Sequence, residues 1–137
     1  MDRIVLDTNC LILSLPKESP YHRVWESFMS GENLLCISNS ILEEYIEIIG
    51  RFWGKDIAQD VANVIINSEY TRFVDPTFNY NLILQNPDDN KFVNCALIAN
   101  ARFIVTEDKH FEVLKTIDFP KIDVIGIDDF LKTLYNG

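Results

Sequence analysis

Three acidic residues, Asp7, Asp89 and Asp108, occupy positions from which carboxylates can act together. Asp7 stands directly after the apolar run Ile4-Val5-Leu6, Asp108 three residues after Val105, and Asp89 at the opening of a helical stretch. Carboxylates gathered in one crevice repel one another and cost stability unless a cation sits among them. Mg²⁺ and Mn²⁺ prefer such oxygen ligands and keep several waters. A cation held this way lowers the pKa of a bound water and polarises a phosphoryl oxygen. Phosphodiester hydrolysis uses both effects and needs no His, Cys or Ser nucleophile.

A fourth acid can come from the helix after Ser38. At about 100° per residue, Glu47 faces away from the apolar stripe, while Glu43 and Glu44 flank it on opposite edges. Geometry leaves Glu43 and Glu44 open. Each residue also has an ordinary reading. Asp7 can be a turn residue, and Thr106 a strand-end hydroxyl that satisfies backbone groups. Asp89 can be a helix N-cap, although Asp88 can fill that place, and Asp108 can cap a short helix near His110. Lys91, Lys109, Arg51 and Lys55 could meet phosphates, but each reads as an ordinary surface charge.

The elements that must position these residues alternate. Arg3 to Leu6, Leu34 to Ile37, Phe73-Val74, Phe103 to Val105 and Ile122 to Ile125 have the length and composition of strands. Helices are expected over Tyr21 to Ser30, from Ser38 or Ser40 to Trp53, over Asp56 to Asn67, over Asp88 to Asn100 and over Asp128 to Tyr135. Residues 16–20 and 76–87 read as loops. Such alternation predicts an α/β fold, a central parallel sheet flanked by helices. Ligands then bind outside the carboxyl ends of the strands, where Asp7 and Asp108 fall.

Competing chemistries lack their residues. There is no G-x-x-x-x-G-K-[ST] loop, no G-x-G-x-x-G and no G-x-S-x-G. The two histidines, His22 and His110, are not in a zinc-binding spacing. A strand followed by Asp also opens the haloacid-dehalogenase phosphatases, with D-x-D-x-[TV]. Here the segment is Asp7-Thr8-Asn9-Cys10, so that reading loses its general acid.

With 137 residues, 47% of them hydrophobic, the chain fits a single domain over 1–137 with one core. Cys10, Cys36 and Cys95 form no CxxC pair and read as small core residues of a cytoplasmic protein. No run approaches the roughly 20 apolar residues of a membrane span. The net charge of −9 argues against a high-affinity, non-specific nucleic-acid binder and fits a basic protein partner.

Asp7-Thr8-Asn9, Glu44 within a helix, Asp88-Asp89-Asn90 and Thr106-Glu107-Asp108 together resemble the PIN-domain family. The run PDDNKFVNCALIANARFIVTEDKHF is the most specific part. Within the family the chain resembles the VapC-type ribonuclease toxins of toxin–antitoxin systems. The resemblance implies a three-layer α/β/α fold and an endoribonuclease that uses Mg²⁺ or Mn²⁺ to cut RNA. It implies Asp7, Glu44, Asp89 and Asp108 as the acidic quartet, with Asp7, Asp89 and Asp108 on the metal. Asn9 and Thr106 become supporting polar groups. It also implies an antitoxin protein partner and a homodimer. Two alternatives are a non-catalytic PIN-fold interaction module and, with less support, a small-molecule phosphatase.

Overall fold

The structure is a computed structural model, and it describes residues 1–76, 79–83 and 86–136. Strands β1 (Asp2–Leu6), β2 (Asn33–Ile37), β3 (Thr71–Phe73), β4 (Phe103–Val105) and β5 (Val124–Ile125) form one sheet in the order β3-β2-β1-β4-β5. All four pairings are parallel. Helices α1 (Thr8–Ser14), α2 (His22–Met29), α3 (Asn39–Trp53), α4 (Lys55–Asn67), α5 (Asn90–Ala99) and α6 (Ile127–Asn136) flank it, giving the expected α/β/α arrangement.

The central strands are covered on both faces. Ile4, Val5, Leu6, Leu35, Cys36, Ile37, Ile104 and Val105 have no solvent exposure, which is why these strands read as continuous apolar runs. Phe28, Phe92, Phe111 and Phe130 close the core from the helical layers. The chain runs outward from β1 to β2 and β3, then returns to lay β4 on the other side of β1. That reversal opens a crevice at the carboxyl ends of β1 and β4.

Several boundaries differ from the sequence reading. Helix α1 follows Asp7 at once, where no helix was expected; its seven residues are too few to show a helical period. The helix expected over Asp88 to Asn100 begins as a 3₁₀ turn, Pro87–Asp89, and is α-helical only from Asn90. Asn100, left-handed at φ 55°, ends it. The helix near His110 is a 3₁₀ helix, Lys109–Thr116. The third strand takes in Thr71, and the last pairs only through Val124 and Ile125. Of the loop expected over 76–87, residues 77, 78, 84 and 85 lie outside the described residues.

Ser38 rather than Ser40 caps α3, its hydroxyl accepting from the Ile41 amide. The three cysteines are buried and free; burial pushes Cys10 up to about 12 and Cys36 up to about 11, so neither is a thiolate at neutral pH. Among the described residues, no helix is long and apolar enough to cross a membrane.

Candidate active site

The strand pairing of Leu6 with Val105 brings the next residues of both strands to one edge. The Asp7 amide donates to the Val105 carbonyl at 3.0 Å, and the Thr106 amide donates to the Ile125 carbonyl at 3.0 Å. Asp7 is 7% exposed, and Thr106 is buried with it. The Thr106 hydroxyl donates to Asp7 Oδ2 at 2.7 Å and accepts from the Asp108 amide at 3.0 Å. Thr106 therefore ties two acids together instead of merely ending a strand.

Asp108 caps the 3₁₀ helix, as its ordinary reading requires: Oδ1 accepts from the His110 amide at 2.9 Å. The same oxygen lies 3.0 Å from His110 Nδ1. Asp89 does not spend its carboxylate on capping, for α5 has no side-chain cap at that position. Its Oδ2 is buried without a hydrogen-bond partner, with His110 Nδ1 3.4 Å away.

The fourth acid comes from α3. Tyr45 is buried and donates to the Leu6 carbonyl at 2.6 Å, which pins the helix against the end of β1. Its neighbour Glu44 is thereby held over the crevice. Glu44 accepts from the Thr8 hydroxyl in the first turn of α1, and Lys91 Nζ lies 2.6 Å from its other oxygen. Glu43 is exposed, and Glu47 pairs with Arg51 at 2.5 Å. The choice that helical geometry left open thus falls on Glu44.

Electrostatics bind the four acids into one unit. Burial raises the Asp7 carboxyl above its ordinary value; the Thr106 hydroxyl and the Thr8 amide oppose this, and Asp108 and Glu44 add to it. Asp89 is pushed up to about 6, first by burial and then by Asp108 and Asp7, against the attraction of His110. A buried oxygen without a partner, beside two carboxyls raised by burial and by their neighbours' charge, is a setting that a bound cation would stabilise. Asp89, Asp108 and His110 each offer a ligand atom, all within 4.8 Å of one another. Asp7 stands beside that compact set rather than in it. Oxygen donors with one imidazole suit a divalent cation.

Asn9 is exposed on α1, and no hydrogen bond among the described residues joins it to the acids. Three residues at the site were not singled out from sequence. Thr8 lay in the D-T-N opening but had no assigned role. Lys91 read as a surface charge, yet its side chain is only 16% exposed and also reaches Asp88 at 3.3 Å. His110 was set aside because it makes no pair with His22; its spacing from Asp108, one residue intervening, was the usable signal. Beside the acids, Ser40, Glu44, Asp88, Lys91 and Asn94 line a polar cleft of about 440 Å³.

A family model described as PIN domain matches residues 3–110. No curated protein matches the chain. Solved structures do. The crystal structure of VapBC2 from Rickettsia felis, bound to a DNA fragment from their promoter, is 19% identical over 90% of this chain and 98% of that one, with a TM-score of 0.60. DNA-bound VapBC from Salmonella typhimurium is 18% identical over 93% and 99%, with a TM-score of 0.61. The PIN domain endonuclease Utp24 is 18% identical over 90% and 84%, with a TM-score of 0.53. At these identities the shared property is the fold. The profile spans strands β1 to β4 and every acid of the pocket, and with it the chain belongs to the PIN-domain family.

Proposed function

We propose that this chain is a single-domain, metal-dependent endoribonuclease of the VapC toxin kind, acting in the cytoplasm and restrained by an antitoxin protein. The observation that carries this reading is the convergence of Asp7, Glu44, Asp89 and Asp108 at one strand edge, with Asp89 Oδ2 buried and unpartnered. Asp7, Asp89 and Asp108 would hold Mg²⁺ or Mn²⁺. The bound cation supplies a water of lowered pKa and stabilises charge on the phosphoryl group.

The chain's own groups do the rest. Thr106 fixes the orientation of Asp7 and the backbone at Asp108, and Thr8 orients Glu44. Glu44, at the rim of the polar cleft, accepts the proton released by the attacking water at one of its carboxylate oxygens. Lys91, the one cation among the described lining residues of that cleft, meets a non-bridging phosphate oxygen. Water, not the RNA 2′-hydroxyl, is the attacking group. Asn9 supports the pocket from its rim.

The net charge of −9 supports narrow RNA selection rather than broad affinity, and it suits a basic antitoxin segment. An exposed apolar band of Phe52, Trp53, Ile57 and Val64 supports a protein partner, either the antitoxin or a second copy.

The test is cleavage of a panel of structured RNAs with Mg²⁺ or Mn²⁺, comparing wild type with Asp89→Asn and with chelator. Cleavage that needs the metal, is lost in Asp89→Asn and leaves no cyclic 2′,3′-phosphate is expected. Cyclic phosphate ends with chelator-resistant cleavage would sink the mechanism.

A further inference from the structure

The imidazole at the acidic pocket has a consequence for which ion the pocket takes. His110 is the second residue after Asp108, and the 3₁₀ turn that begins at Lys109 folds its ring back over the Asp108 carboxylate. Nδ1 then lies 3.0 Å from Asp108 Oδ1 and 3.4 Å from Asp89 Oδ2. Ligands side by side on an octahedral ion with bonds near 2.1 Å stand about 3 Å apart, so this spacing is that of a shared ion. Asn86 turns its amide nitrogen toward the same Nδ1 at 3.4 Å. The ring nitrogen ligates a metal only in its unprotonated form, so an ion entering among these groups displaces any proton that Nδ1 carries. Two carboxylate oxygens and a ring nitrogen aimed at one point are the donor set a shared divalent cation takes. One of those oxygens, Asp89 Oδ2, is the buried atom with no partner of its own.

We propose that His110 is a nitrogen ligand that completes the Asp89–Asp108 site and biases it toward first-row transition ions over Mg²⁺. Mg²⁺ holds to oxygen donors and near-ideal geometry, whereas imidazole binds transition ions in the Irving–Williams order. Mn²⁺ is the weakest of that series and therefore the most demanding probe. The inference rests on the acidic-site reading above.

The experiment is electron spin-echo modulation spectroscopy of the full chain loaded with Mn²⁺, with calorimetric titration of Mn²⁺ and Mg²⁺ beside it. His22, the other histidine, has its Nδ1 2.9 Å from the Ser14 carbonyl, so an imidazole nitrogen signal has one source at the pocket. Wild type is expected to show ¹⁴N modulation that disappears in His110→Ala, while Mn²⁺ affinity falls roughly tenfold or more. Mg²⁺ affinity moves less, so the preference for Mn²⁺ narrows. His110→Asp, which returns an oxygen donor, is expected to restore Mg²⁺ binding without the nitrogen signal. Mn²⁺ that binds without ¹⁴N modulation, and is released by Asp89→Asn, would overturn the role of His110 and leave the acidic site standing. A wild-type chain that binds neither ion would overturn both.

Discussion

Thr106 lends one hydroxyl to two neighbours, donating to Asp7 and accepting from the Asp108 amide. Thr106→Val keeps the shape and removes both bonds, so Mn²⁺ affinity is expected to fall between roughly tenfold and a hundredfold with the fold retained. Calorimetry and circular dichroism on the same sample separate the two effects. Asp89 carries a pH signature. Its carboxyl is pushed from the ordinary 3.8 to about 6 in the folded chain. Below pH ~4 it is protonated in folded and unfolded chains alike, and the stability gained from its tighter proton is lost as pH rises through about 6. The metal-free wild type is therefore expected to melt below Asp89→Asn at neutral pH, with the gap closing toward pH ~4. A gap that does not change with pH would show that Asp89 is not the titrating group. Sequence located Asp7, Asp89 and Asp108 because strand ends and a helix start are legible in composition. The place of His110 beside them was not legible, since it depends on which way a single 3₁₀ turn folds.

At the scale of elements, α3 is held to the sheet by a buried phenol. Tyr45 and the Leu6 carbonyl to which it donates are both buried. Tyr45→Phe leaves that carbonyl unpaired and is expected to cost about 1–3 kcal/mol in denaturant unfolding. The 3₁₀ turn Pro87–Asp89 has a different role. It lets Asp89 enter the crevice before α5 begins, and so frees its carboxylate from the capping position. Long helices such as α3 and α4 were readable because their apolar stripes repeat over several turns. Helix α1, with seven residues beginning at Thr8, was not, although its first turn supplies the hydroxyl that holds Glu44. Helical geometry alone left Glu43 and Glu44 open; the resemblance named Glu44, and the Tyr45 anchor is what turns Glu44 toward Thr8.

At the scale of the molecule, burial and neighbouring carboxylates raise the Asp7 and Asp89 carboxyls, a cost that a bound cation would relieve. Mn²⁺ at a hundred times its dissociation constant is expected to add about 2.7 kcal/mol of stability. Thermal melts of the wild type should rise with Mn²⁺ and return with chelator, whereas Asp89→Asn should not respond. The sheet order β3-β2-β1-β4-β5 was legible only as alternation; the reversal that places β4 against β1 came from the tertiary structure. That reversal has a further consequence, for the order in which the molecule comes into being. Thr106 and Asp7, which share a hydrogen bond, are 99 positions apart in the chain. Strand β1 is made first and waits through the synthesis of β2, β3 and α5 before its partner β4 exists. A chain still emerging from the ribosome, or released before Asp108, carries the first acids but not the crevice. On the function proposed above, such a chain would hold no cation and cut no RNA.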